Sequence, residues 1–141
     1  MTISNHRTAV AVVERFLAAT GALDVDAMFE EIAPDAVWIF PSGPRGAPRE
    51  VRGKDTNRAF FESLRPMWTA FDLTFSEVHA LADDPDRVVA HYASQGSLID
   101  GSGYANTYLS LVKVRAGKIV EWMEFCDPAP LERGVAALQT A

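Results

Sequence analysis

From Asp72 to Asp127 the chain reads as four extended segments joined by very short turns. The segments are DLTFSEVHALA, RVVAHYASQGSLI, YANTYLSLVKVR and KIVEWMEFCD, and the breaks are DDPD, DGSG and RAG. Turns this short join antiparallel neighbours, because a parallel pair needs a crossover of a dozen or more residues. The C-terminal half is therefore a meander of long strands, and a fold must be found that covers it.

The first half supplies the cover. Residues 4 to 20 carry Val10, Val13, Phe16 and Leu17 at helical spacing, with Gly21 as a stop. A second short helix is expected at 24 to 32, capped by Asp24 and ended by Pro34. DAVWIFP reads as a short strand with apolar residues on both faces, and SGPRGAPREVRG as a loop. A third helix runs from Lys54 to Arg65, where Pro66 ends or bends it. Residues 130 to 138 are expected to form a short final helix. Helices followed by a run of strands indicate an α+β domain, with helices on one face of a curved sheet. At 141 residues the chain fits one domain, spanning 1–141, with a core of its own.

Charge and cysteine content narrow the function classes. A net charge of −6 argues against nucleic acid and against an anionic membrane as the main partner. The single cysteine, Cys126, allows neither an intrachain disulfide nor a zinc cluster, which fits a reducing, cytoplasmic setting. No signal peptide and no run of 18 apolar residues is visible. No metal-ligand spacing and no phosphate-binding glycine loop is found, so neither metal nor cofactor is expected.

The RAG hairpin decides which side chains share a face. A three-residue loop, with Gly117 in the left-handed position, sets Tyr108 opposite Glu124, Ser110 opposite Trp122 and Asn106 opposite Cys126. One face then carries Tyr104, Asn106, Tyr108, Trp122 and Glu124. The other carries Leu109, Leu111, Ile119, Met123 and Phe125, with Glu121. A two-residue loop instead sets Leu109 against Glu124. The first face, aromatic rings with an amide and a carboxyl, suits a ligand cavity. The second is too apolar to face water as a strip, and predicts a homodimer through the outer sheet face.

Glu124 is the leading candidate for chemistry. Among Trp122, Tyr108 and Phe40 it loses solvation, which raises its pKa and poises it as a general acid or base. The competing reading is a buried glutamate tied to Tyr or Asn. Asn106 and Tyr104 are candidates to hold a substrate oxygen, and Tyr108 to hold Glu124 still. His91 and Tyr92 are adjacent on a strand, so one of them faces inward. His91 is a candidate acid–base partner, and Gln95 shares its parity. Trp38, Phe40, Phe60, Trp68 and Trp122 are candidate cavity walls, against a reading as ordinary core. Cys126 reads as a small buried group, Asp127 as a cap, and Arg45, Arg49 and Arg52 as loop charges near the pocket mouth.

Taken in order, GKDTNRAFF, YANTY, VRAGKIVEWMEF and DP resemble the SnoaL-like branch of the nuclear transport factor 2-like superfamily. The resemblance covers nearly the whole chain. It implies a cone-shaped curved mixed sheet wrapped around N-terminal helices, a cystatin-like α+β barrel with a deep pocket. It also implies that the acidic position following GKI along the strand, here Glu124, works in that pocket. The superfamily includes ketosteroid isomerases, polyketide cyclases and phenazine-biosynthesis proteins, and also members that bind without catalysing. The aspartate-arginine-aspartate set of limonene epoxide hydrolase cannot be assembled from this sequence. The two pocket histidines of scytalone dehydratase have only His79 and His91 as counterparts outside the first helix. The expected function is cofactor-free proton transfer, by an isomerase, cyclase or dehydratase, on an apolar, oxygenated or ring-bearing small molecule. The alternative is a non-catalytic module that binds a hydrophobic ligand or a partner.

Overall fold

The computed structural model describes residues 2–141, with side chains from Ala9 onward. Four helices and six strands follow one another as α1 (Thr2–Gly21), α2 (Val25–Glu30), β1 (Ile32–Ile39), β2 (Glu50–Arg52), α3 (Lys54–Leu64), β3 (Trp68–Leu81), β4 (Asp84–Leu98), β5 (Gly103–Arg115), β6 (Lys118–Cys126) and α4 (Pro128–Thr140). The strands form one mixed sheet in the order β2-β1-β6-β5-β4-β3. Antiparallel pairing holds throughout except between β1 and β6, which run parallel. The architecture is α+β, a curved sheet that does not close on itself, with the N-terminal helices in its concave side.

Several boundaries differ from the sequence reading. Pro34 does not end α2; it lies inside β1, within the register break between Ile32 and Val37, where a missing N–H costs no ladder bond. Asp24 does cap α2, accepting from the Ala27 N–H at 3.1 Å. The β3–β4 turn sits at residues 82–83, one position ahead of DDPD, and β3 starts at Trp68 rather than Asp72. Pro66 falls in a single 3-10 turn, Arg65–Met67, that links α3 to β3. The final helix is longer than expected because Asp127 caps it and Pro128 occupies its first position.

The β5–β6 hairpin departs from both registers considered. Its loop is the two residues Ala116 and Gly117, with φ of 51° and 76°. Both φ values are positive, as the right-handed twist of a two-residue hairpin demands, and glycine meets that demand at one of the two positions. One turn later the ladder slips again, so that Val114 pairs Ile119 but Lys113 pairs Glu121. Val120 is the extra residue of this bulge. The two shifts together put Ser110, and neither Tyr108 nor Leu109, opposite Glu124, while Tyr108 pairs Cys126. Shifting an antiparallel pair by two residues preserves inward and outward parity, so Tyr104, Asn106, Tyr108, Trp122 and Glu124 do share the concave face. Ile119 lies before the bulge and is corrected to the inside, where it is fully buried opposite Val114.

The core sits between α1 and the concave face. Val12, Val13, Phe16 and Leu17 pack against Trp38, Trp122 and the inward residues of β4 and β5. Phe16 lies 4.7 Å from Trp122 and 5.5 Å from Trp38, and the two indoles stack at 5.1 Å with a 10° tilt. A smaller cluster of Met67, Trp68, Leu98 and Tyr104 lies under α4, where Leu131 and Leu138 close it. Gly134 brings α4 down onto this cluster, because a β-carbon there would collide with the Met67 sulfur.

Candidate functional site

The concave face carries a belt of hydroxyls, an indole and one carboxyl. Inward positions of β4 and β5 supply Tyr92, Ser94, Tyr104, Asn106, Tyr108 and Ser110, all buried. Trp122 and Glu124 come from β6. Tyr92 Oη donates to Glu124 Oε1 at 2.7 Å. A tyrosine has one hydroxyl proton, so the 3.0 Å contact between Tyr92 and Ser110 must be donated by the serine. Ser110 Oγ in turn accepts from Trp122 Nε1 at 3.1 Å. Donation therefore runs one way, from indole to serine to tyrosine, and ends on Oε1.

The other oxygen of Glu124, Oε2, has no hydrogen-bond partner among the described residues. Among those residues the only fully enclosed side-chain nitrogen or oxygen without a partner is Trp68 Nε1. Oε2 thus retains a little accessible surface. Burial raises the Glu124 pKa above the ordinary 4.5, and the Tyr92 bond opposes that rise only in part. Because Oε1 faces a donor, the protonated form of Glu124 carries its proton on Oε2. The same desolvation, with Glu124 nearby, pushes the Cys126 thiol up to about 12, so at neutral pH it is an inert thiol. Tyr92 is raised well above its usual value by burial and by the neighbouring carboxyl.

A second chain of bonds fills the other end of the belt. Tyr108 bonds Ser94 at 2.8 Å and Tyr104 at 3.1 Å, and its ring stacks on Tyr92 at 4.7 Å. Tyr108 therefore braces Tyr92, and it is Tyr92, not Tyr108, that holds Glu124. Burial raises Tyr104 to about 12. Asn106 donates to the Asp127 carbonyl at 2.9 Å and accepts from the Asp127 N–H at 3.2 Å, with a longer bond to Tyr104 at 3.4 Å. Its amide is fully engaged in tying β5 to the start of α4.

The remaining sequence candidates separate. His91 and Gln95 do not face the interior; Tyr92 takes the inward position on β4, and the alternation puts both others outside. His91 bonds Glu77 at 3.4 Å on the outer face, beside His79, which bonds the same carboxylate at 2.7 Å. Trp38 lines a small apolar cavity between the helices and the sheet, and Phe40 and Phe60 line both that cavity and a larger one beneath α4. Trp68 lines neither and packs edge-on against Tyr104 at 5.6 Å. Of the loop arginines, Arg49 ties its own loop through the Gly43 carbonyl, Arg52 pairs with Glu50, and Arg45 borders the larger cavity. Among the described residues no three His, Cys, Asp or Glu side chains are grouped to hold a metal, and no helix is long and apolar enough to cross a membrane.

Three buried polar residues were missed from sequence. Ser94 and Ser110 are the small members of the belt. Asn57 is enclosed at the start of α3, where its amide donates to the Val51 and Gly53 carbonyls at 3.0 and 2.8 Å. The inward parity of β4 and β5 was the available signal for the serines. For Asn57 it was an amide three residues into a helix opened by glycine.

Residues 13–122 match the family model of the SnoaL-like domain. The chain belongs to the SnoaL-like family. Its fold is shared with solved nuclear transport factor 2-like proteins of Burkholderia. A curated relative, the uncharacterized protein YesE of Bacillus subtilis, is 25% identical over 99% of this chain and 97% of its own. A Bacillus subtilis crystal structure provisionally assigned as an isomerase superposes with a TM-score of 0.83 at 24% identity, covering 94% of this chain and 96% of that one. A phenazine biosynthesis-related protein from Pseudomonas aeruginosa gives 0.80 at 19% identity, over 96% and 89%. At these identities the two structures establish the fold.

Proposed function

We propose that this SnoaL-like domain is a cofactor-free enzyme that moves a proton at a carbon next to a carbonyl, in an isomerisation, cyclisation or dehydration. Its substrate is an apolar, oxygenated or ring-bearing small molecule, and Glu124 is the acid–base group. One observation carries this reading: a desolvated carboxyl whose Oε1 is fixed by a one-way chain of donors while Oε2 has no partner. An oxygen with no protein partner and a little accessible surface is free to take a proton from a substrate or give one to it. Tyr92 is the positioning residue, with Ser110 and Trp122 behind it. Asn106, its amide committed to Asp127, sets the β5–α4 junction rather than holding a substrate oxygen.

The catalytic test needs no native substrate. 2-Tetralone is a small aromatic ketone with exchangeable protons beside its carbonyl. Wild-type protein in D2O accelerates its deuterium uptake, and Glu124→Gln lowers the rate by about 10²–10⁴-fold, the usual worth of a general base. Equal uptake by the two proteins removes Glu124 from the chemistry.

A second reading, ligand binding without turnover, is favoured by the cavities themselves: Glu124 lines neither of the two described above. In either case we read residues 1–141 as one domain acting in a reducing, cytoplasmic setting, and as a homodimer. Phe75, Leu109 and Phe125 stand 45%, 51% and 41% exposed on the outer sheet face, an apolar group that a second copy of the chain would cover. Sedimentation of Leu109→Lys, expected to be monomeric, checks the dimer.

A further inference from the structure

The two cavities under the helices share a wall. The outer one, about 550 Å³, is enclosed by residues 44–48, α3 and α4. The inner one, about 110 Å³, lies between α1, α2, α3 and the sheet, and includes Trp38. Phe40, Phe60 and Leu64 border both. The Phe40 and Phe60 rings meet at 5.8 Å, tilted by 49°. Side chains, with no intervening strand or helix, therefore make up this partition. The outer volume lies in the range of small-molecule sites. Its lining is largely apolar, and the opposite charges of Arg45 and Glu132 at its border leave no net charge to recruit an ion.

Phe40 also lies on the chain that runs alongside Glu124. The parallel register pairs Trp38 with Trp122 and Ile39 with Met123, and carried one residue past the end of β1 it brings Phe40 level with Glu124. Ser42, two residues beyond, bonds the Cys126 carbonyl and N–H at 3.0 and 3.3 Å, so the register persists past the end of β1. The alternation that buries Ala36 and Trp38 turns Phe40 inward as well. Its ring thus borders both cavities from a position just past β1, level with Glu124.

We propose that the cavity beneath α4 binds an uncharged, mostly apolar small molecule, and that Phe40, by swinging off Phe60, joins that cavity to the inner chamber and to Glu124. The binding half stands on the cavity alone; the passage to Glu124 rests on the catalytic reading above. The division suits a molecule with one ring-sized portion for the inner chamber and a larger remainder under α4.

N-Phenyl-1-naphthylamine, an uncharged dye that brightens on leaving water, is the probe for the cavity. Titrated into the wild type it shows saturable binding at one site per chain. Ala136 lies on the exposed side of α4 and borders the cavity, so Ala136→Trp fills the space with the core untouched. This variant weakens the probe at least tenfold. Absence of saturable binding, or equal affinity in the two proteins, overturns the site. The passage is tested by the Glu124 titration midpoint. In Phe40→Ala water reaches the carboxyl and the midpoint falls toward 4.5. Phe40→Leu, a smaller loss of packing, moves it the same way by less. A midpoint unmoved in both variants overturns the passage. The two proposals fail separately: probe binding that ignores Ala136→Trp leaves the tetralone result intact, and tetralone exchange that ignores Glu124→Gln leaves the dye site intact.

Discussion

Glu124 and Glu77 occupy opposite faces of one sheet, and their surroundings pull them in opposite directions. Glu124 lies on the concave side, where burial outweighs one tyrosine donor and raises its pKa. Glu77 lies on the convex side, exposed, where hydrogen bonds from His79 and His91 lower its pKa. The chemistry of a strand residue here is decided by parity, which selects solvent or protein as its surroundings. The pH consequences carry opposite signs. A raised carboxyl binds its proton more tightly when folded, so its contribution to stability is present below 4.5 and is lost as pH rises toward the folded value. A lowered carboxyl contributes above the ordinary value and loses that contribution as pH falls. Solvent screening at this exposed site makes the Glu77 share small.

The contrast between the faces can be broken most forcefully at the indole. Trp122 is 1% exposed, stacks on Trp38 and meets Phe16 at a tilt. Trp122→Ala should cost about 3–5 kcal/mol in urea unfolding. Leu109→Ala on the convex face should stay within about 0.5 kcal/mol in dilute protein. Comparable losses at the two sites would show that the faces are not energetically distinct. A smaller effect is expected at Ser110→Ala. It strips the acceptor from Trp122 and the donor from Tyr92, and should cost about 1–3 kcal/mol. Smaller again is the pH term. The Glu124 contribution to stability should decline from pH 4.5 upward, by at most about 1.4 kcal/mol per pH unit. Glu124→Gln should flatten that slope, and Glu77→Gln should leave it in place.

Parity was easier to read from the sequence than register. Alternation along β5 put Tyr104, Asn106 and Tyr108 on one face, because the pleat enforces a period of two whatever the partner strand does. Register depended on two local events that leave little trace in the residues. Ala116 adopts a left-handed φ of 51° without being glycine or asparagine, and Val120 bulges with no glycine or proline to announce it. The two shifts happened to preserve the faces for residues past the bulge, and moved only Ile119. His91 and Tyr92 were indistinguishable until the helices fixed which side of β4 was covered. Asp-Pro marked Asp127 as a cap of the strand end or of the final turn, and the fold makes it the cap of α4; the tie from Asn106 to Asp127 joins positions 21 apart and required the fold. The cavity beneath α4 was not legible at all, since it depends on how residues 44–48 close over α3 and α4.

The most direct measurement is the carbon-13 titration of the Glu124 carboxyl in protein labelled at glutamate, assigned by its absence in Glu124→Gln. A midpoint clearly above 4.5 is the result expected of a desolvated acid carrying its proton on an unpartnered oxygen. A midpoint at or below 4.5 would mean that the carboxyl is hydrated or bonded through both oxygens, and would contradict its role as the proton carrier.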